Sequence, residues 1–261
     1  MKIISLCILT LSMHLVSQAQ ETVKQETVKY AVAISANAEW RALKKIWPQE
    51  KWQADTPYGE YFHKKIRTSS GKHYEVLFFH EGWGKVDAAG ATQYLISRWK
   101  PQILFNLGTC GGFEGKIKKF DVVLAKKTVI YDIVEKMGDS KEAIDYYSKT
   151  LDLDWLGKQY PTKVIPTTLV SADKDLFPQE IKKLASTYSA IAGDWETGAI
   201  AHVATKNKVK TIILRGVTDV VNTTGGEAYG NFALFEKNTK TVMRILFDLL
   251  PSWIEHIEQL K

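Results

Sequence analysis

The chain has 261 residues, 45% hydrophobic and 25% charged, enough to bury a stable core without disulfide staples and unlike a disordered or fibrous composition. Its formal net charge of +6 comes from lysines scattered among acids, with no basic run of the kind that follows a nucleic-acid backbone. Nucleic acid is therefore not an expected partner.

At the N-terminus, Lys2, the apolar stretch Ile3 to Val16 and the small residues around Ser17-Gln18-Ala19 read as a secretory signal over residues 1–19. The stretch is broken by His14 and falls short of the roughly 20 residues that a membrane span needs. The expectation is a periplasmic or secreted protein with no membrane attachment after cleavage. Cys7 would leave with the signal, so Cys110 has no intrachain partner. A lone Cys with no His near it in sequence reads as a small packed residue rather than a nucleophile. Gln20 to Lys24 and Gln25 to Lys29 repeat the pentapeptide Gln-Glu-Thr-Val-Lys, a polar spacer over residues 20–29.

The folded part is expected to run from residue 30 to 261 as one domain. Tyr30 to Ser35 is an apolar run suited to a strand buried on both faces. Glu39 to Trp47 reads as a helix ended by Pro48. Tyr61 to Arg67 and His73 to His80 alternate around Thr68 to Lys72, a hairpin. Gly84 to Trp99 carries a helical stripe. Ile103 to Leu107 is a buried strand followed by a glycine loop, Gly108 to Gly112. Phe120 to Ala125 is another strand, and residues 132–163, which lack a clear period, are expected to wander over the surface. Lys163 to Val170 is strand-like, Asp194 to Val203 is a helix capped by Asp194, and Thr211 to Leu214 is a strand leading to Thr218-Asp219. A last helix from about Ala228 to Leu250 is expected to stop at Pro251. Strands alternating with helices, interrupted by one hairpin, give an α/β class with a mixed sheet.

Open α/β sheets bind ligands at the carboxyl ends of their strands. Glu39, the Gly108–Gly112 loop and Asp219 are therefore candidates for one crevice. Glu196 heads the stripe Glu196, Ala199, Ile200, Val203 at helical spacing. A carboxylate facing a core is costly unless paired or hydrogen-bonded, so Glu196 is either partly exposed or meets ligand hydroxyls. Asp219 either acts in the crevice or caps a turn. The glycine loop offers backbone N–H groups to an oxygen-rich ligand. The histidines show no metal-ligand spacing, so no metal is expected, and nothing calls for a cofactor.

In order along the chain, Gly82-Trp83-Gly84-Lys85-Val86, Asn106 to Gly112, Phe120 to Val123, Val170 to Asp173, Asp194 to Val203 and Arg215 to Asp219 resemble motifs of the purine and uridine phosphorylase superfamily. The nearest branch is the 5′-methylthioadenosine/S-adenosylhomocysteine nucleosidases. The resemblance implies a single-domain three-layer α/β/α fold with a central mixed sheet, a small-molecule purine nucleoside as partner, cleavage of the N-glycosidic bond, and a homodimer. By position, Asp219 matches the acid that protonates the leaving base, Glu39 the residue that activates water, and Glu196 the residue that holds the ribose hydroxyls. Thr109 and Gly111 fall on the ribose wall and Trp195 under the sugar. Ser171, Leu176 and Phe177 fall near the base, and Tyr229 near the 5′ end. By strict register Asp175 stands where the family has a purine-stacking Phe; either Phe177 enters after a small shift or Asp175 hydrogen-bonds the base.

Phosphorylases of the superfamily carry a Gly-Asp-Pro-type loop with arginines for phosphate. Here Ala36-Asn37-Ala38-Glu39 stands instead, which favours hydrolysis of nucleosides such as methylthioadenosine, S-adenosylhomocysteine or adenosine. Phosphorolysis and non-catalytic nucleoside binding are the alternatives.

Overall fold

The computed structural model describes residues 26–260; the expected signal and the first part of the spacer lie outside the described residues. Among those described there are nine strands and six helices, matching the expected α/β class. β1 (Tyr30–Ile34), β2 (Tyr61–Arg67), β3 (His73–His80), β4 (Ile103–Phe113), β5 (Val122–Ile130), β6 (Lys149–Thr150), β7 (Ile165–Ser171), β8 (Ala190–Asp194) and β9 (Lys210–Val221) form one mixed sheet.

Its order is β2-β3-β1-β4-β8-β7-β5-β6, and β9 pairs with both β4 and β5. The ladder therefore closes on itself through β4, β9, β5, β7 and β8. β1 lies parallel between β3 and β4 and is buried along its whole length, as its continuous apolar run requires. The spacer is already tied to this sheet at its end, where the Lys29 carbonyl accepts from the Ile103 N–H at 3.0 Å.

α1 (Asn37–Ile46) and α6 (Phe232–Gln259) pack together on one face. α2 (Gly84–Trp99) and α5 (Thr197–Lys206) pack together on the other. The larger core lies under the α1/α6 layer, built from Leu43, Phe105, Leu107, Leu214, Val242 and Leu246. The core on the other face joins Leu77, Ala91, Leu95, Leu104 and Ile200, and a third, smaller cluster joins Phe113, Val129, Val170 and Leu176. The first two meet the sheet from opposite faces because successive residues of β4, Leu104 and Phe105, point opposite ways.

Four local expectations are revised. The glycine run is not a loop: β4 continues through Phe113, laddered to β9 along its length and to β8 at Gly111 and Gly112, with a bulge between Cys110 and Gly111. Asp219 likewise lies inside β9 rather than beyond its end. Pro251 sits within α6, which runs on to Gln259. A proline inside a helix costs about 3 kcal/mol. The continuation buries Trp253, Ile254 and Ile257, each worth roughly 1.5–3 kcal/mol, so burial outweighs the break.

The fourth revision concerns residues 132–163, which contain α3 (Ser140–Tyr147), β6 and a short 3₁₀ turn. α3 buries no residue and so leaves no periodic stripe; it begins where the Asp139 side chain accepts from the Lys141 N–H at 2.9 Å. α4 (Ile181–Tyr188) and β8 fall where the sequence predicts no element.

Candidate active site

The carboxyl ends of β1, β4 and β9, the start of α5, the segment after β7 and the start of α6 enclose an open cleft of about 840 Å³. Glu39, Thr109, Gly111, Leu176, Trp195, Glu196, Asp219 and Tyr229 all line it, so eight of the sequence candidates converge. Two do not. Ser171 is fully buried behind the wall; its hydroxyl donates to Asp194 Oδ1 at 2.7 Å and accepts from the Gly198 N–H at 2.9 Å. Phe177 is exposed on the outer surface under the Lys174 ammonium, 4.7 Å from the ring centre, so the base pocket has no Phe from this segment.

At the centre is Arg215, fully buried in β9. Its Nη2 donates to Asn106 Oδ1 at 2.8 Å. Nε lies 3.2 Å from Asp194 Oδ2, and Nη1 lies 3.5 Å from Glu39 Oε1 and 3.8 Å from Glu196 Oε2. Three buried carboxylates thus share one guanidinium. Burial is the largest influence on each, and it holds Glu39, Asp194 and Glu196 above the usual carboxylate range against the pull of Arg215. Glu196 is pushed up to about 8.

Glu39 sits in the first turn of α1, where an anion is favoured by the helix dipole. Its Oε1 accepts from the Thr109 N–H at 2.5 Å and from the Thr109 hydroxyl at 2.8 Å, and Oε2 accepts from the Ala36 N–H at 3.3 Å. The glycine run therefore turns a backbone N–H toward a protein carboxylate. Gly108 makes this approach feasible: a Cβ there would come within 2.2 Å of Arg215 Nη1 and 2.8 Å of both Glu39 oxygens.

Glu196 occupies the N-cap position of α5, and its burial removes the partly exposed alternative. Its hydrogen bond from protein is the Gly84 N–H to Oε1 at 3.2 Å, across the turn into α2. Asp194, expected as the cap, still serves the helix end: its Oδ1 accepts from the Thr197 N–H at 3.1 Å, although Asp194 lies two residues before the cap position. Across the cleft, Asp219 Oδ1 accepts from the Thr218 hydroxyl at 2.8 Å, while Asn238 of α6 donates to the Thr218 carbonyl at 2.8 Å. Burial raises the Asp219 carboxyl above its ordinary value, with Glu227 and Asp175 adding to the effect. Asp219 therefore lines the cleft wall, and its carboxyl also accepts from the Ala228 N–H in the turn before α6. Burial also lifts the Cys110 thiol well above its usual value, which favours the thiol over the nucleophilic thiolate.

The cleft is walled by aromatic residues that sequence reading missed. Trp83 stacks obliquely on Trp195 with ring centres 5.1 Å apart, and Phe232 and Phe235 line the opposite lip from α6. Tyr229 donates from its hydroxyl to the Leu176 carbonyl at 2.6 Å, tying the loop before α6 to the segment after β7. Arg41 also lines the cleft, with Nη2 3.4 Å from Glu236 Oε1. Among the described residues no group of His, Cys, Asp or Glu side chains is spaced to hold a metal ion, and no helix is long and apolar enough to cross a membrane.

Glu81, a further buried acid, is not among the sequence candidates. It follows β3, accepts from the Thr92 hydroxyl at 2.8 Å, has no partner for Oε2 among the described residues, and is pushed up to about 8 by burial. Glu81 and Glu196 both have folded pKa values above the ordinary 4.5. Their contribution to stability is therefore complete below about pH 4.5 and lost as pH rises toward 8. The melting temperature is expected to fall between pH 5 and pH 8, and Glu81→Gln, which keeps an acceptor for Thr92, should flatten that fall. A wild-type melting temperature that stays level or rises over this range would contradict the assignment.

The sequence model of the Phosphorylase superfamily matches residues 31–252. The 5′-methylthioadenosine/S-adenosylhomocysteine nucleosidase of Buchnera aphidicola (subspecies Acyrthosiphon pisum, strain APS) is 31% identical over 175 residues, 61% of this chain and 75% of that protein. Among solved structures, the apo 5′-methylthioadenosine nucleosidase of Arabidopsis thaliana superposes with a TM-score of 0.69 at 22% identity, covering 89% of this chain and 97% of that one. The adenine complex of the Colwellia psychrerythraea nucleosidase gives 0.66 at 18%, again covering 89% and 97%. With the sheet order, the site at the strand ends and a match across nearly the whole described domain, the chain belongs to the phosphorylase superfamily.

Proposed function

We propose that the protein is a purine nucleosidase that hydrolyses the N-glycosidic bond of methylthioadenosine, S-adenosylhomocysteine or adenosine. The observation that carries this reading is the charge of the cleft: Glu39, Asp194 and Glu196 around the single Arg215, with Asp219 opposite. Breaking a C1′–N bond leaves positive charge on the ribosyl group, and a preorganised excess of carboxylate stabilises that charge.

The roles divide by environment. Asp219, its carboxyl raised by burial, gives its proton to a ring nitrogen as the C1′–N bond breaks and its electrons pass to the base. Water forms the new bond to C1′ and loses a proton to Glu39, whose ionised form Thr109 and Arg215 favour. Glu196 has one hydrogen bond from protein and accepts from the ribose hydroxyls, which relieves the cost of its burial. Trp195 provides an apolar floor for the sugar. Arg41 is paired with Glu236, which supports water rather than phosphate as the attacking group.

The named activity of the relatives supports the substrate class. The composition of residues 1–19 supports export, and the exposed apolar side chains of Trp83, Val86, Val134 and Met137 are consistent with a homodimer. The decisive experiment is a nucleoside panel assayed with and without inorganic phosphate. Free adenine and free ribose sugar are expected in both; release that requires phosphate, or no release from any nucleoside, overturns the proposal.

A further inference from the structure

The base end of the cleft carries an acid with no role in the mechanism above. Asp175, in the segment after β7, lines the cleft two residues beyond Asp173, with Leu176 beside it and Asp219 and Tyr229 also in the wall. The side chain is exposed to the cleft, and among the described residues it has no hydrogen-bond or ion-pair partner. The adjacent cation is committed elsewhere: Lys174 Nζ lies 2.7 and 2.9 Å from the two Glu180 oxygens and over the rings of Tyr131 and Phe177. Glu227, the other acid felt by Asp219, is neutralised by Lys119 at 2.8 Å. The neighbouring hydroxyl is also occupied, since Tyr229 donates to the Leu176 carbonyl.

This end of the cleft therefore offers acceptors and negative charge but no uncommitted cation among the described residues that line it. A base carbonyl placed there would face a carboxylate and lose its hydrogen bond to water. An exocyclic amino group would donate to that carboxylate, and such charge-assisted bonds are about twice as strong as neutral ones. A site built to bond a donor discriminates sharply against an analogue that lacks it.

We propose that Asp175 is a specificity-determining residue that selects nucleobases presenting an amino donor over those presenting a carbonyl at the same position. The inference rests on the nucleosidase reading for its substrate class, but its test has a readout independent of turnover. Hydrolysis of 5′-methylthioadenosine and of its 6-oxo counterpart is measured for wild type, Asp175→Asn and Asp175→Glu. Binding of adenine and hypoxanthine is measured by calorimetry in parallel.

Wild type should favour the amino substrate and adenine. Asp175→Asn should cut that preference in both kcat/KM and Kd by roughly tenfold, and Asp175→Glu should retain most of it. A preference in Asp175→Asn within twofold of wild type, or a wild-type preference for the oxo compounds, overturns the inference. If wild type releases base from neither nucleoside, the nucleosidase reading fails instead, and the ratio of the two base affinities still decides the role of Asp175.

Discussion

Glu39→Gln and Asp219→Asn should each lower kcat by roughly 10²- to 10⁴-fold while leaving the fold intact. Each replacement keeps the principal acceptor used by the protein, although Glu39→Gln gives up the one that receives the Ala36 N–H. In Glu39→Gln the amide oxygen can still receive the Thr109 N–H and hydroxyl, and in Asp219→Asn it can still receive the Thr218 hydroxyl. What each loses is the ability to take or give a proton. The two losses separate by leaving group. A 4-nitrophenyl riboside departs as a stable anion that needs no proton, so Asp219→Asn should recover most of its activity on it, whereas Glu39→Gln should not, because water must still be deprotonated. Equal defects for both variants on both substrates would remove the division of labour between the two carboxylates. The pH profile adds a second check. In that division of labour Glu39 acts ionised and Asp219 protonated, so turnover should fall on the acid side as Glu39 takes up a proton and on the alkaline side as Asp219 loses one, with burial moving both limbs to higher pH. Asp219→Asn should abolish the alkaline limb.

Much of this site is legible in the amino-acid sequence alone. The convergence of Glu39, the glycine run and Asp219 follows from apolar runs that stop at small polar residues and from the rule that α/β sheets bind ligands at strand ends, while Thr109 and Glu196 are placed there by the family resemblance. Glu196 stands out because a carboxylate at the head of an apolar stripe has to be explained, and it is buried with one hydrogen bond among the described residues, from the Gly84 N–H. What the sequence hides depends on long-range geometry. Arg215 is visible as an arginine at the end of the buried run Thr211 to Leu214, and burial there demands anions. Which anions it meets depends on the closure of β9 against both β4 and β5. The glycine run reads as a loop because local composition says nothing of strands that pair on both of its sides. Ser171 and Phe177 fall outside the cleft through the direction of the backbone at each: Ser171 points into the start of α5 and Phe177 outward to Lys174. α3 and α4 bury at most two side chains each and so carry almost no periodic signal.

Arg215→Met should produce the largest loss of stability of any single substitution at the site, about 3–5 kcal/mol, because it leaves buried charge without its partner. The loss has a diagnostic pH dependence. With Arg215 present, Glu39, Asp194 and Glu196 already have carboxyls raised by burial, and the guanidinium is what holds them down. Without it their folded pKa values rise further while the unfolded values stay where they were. The added penalty is therefore absent below the unfolded carboxylate range and grows as pH rises above it. Denaturant melts at pH 5 and pH 8 should show a larger difference between wild type and Arg215→Met at pH 8. A difference equal at the two pH values would mean that the residue acts by filling space, and the electrostatic account would be wrong. Asp194→Asn on the Arg215→Met background should recover part of the loss, since it removes one of the stranded charges, whereas on the wild-type background it breaks the 3.2 Å contact to Nε and should destabilise. Arg215→Lys retains the charge but has no planar fork to reach Asn106 and Asp194 together, so it should fold better than Arg215→Met and still turn over more slowly than wild type. The guanidinium thereby links stability to function: it lets the protein hold an excess of carboxylates at the point where a ribosyl cation would form.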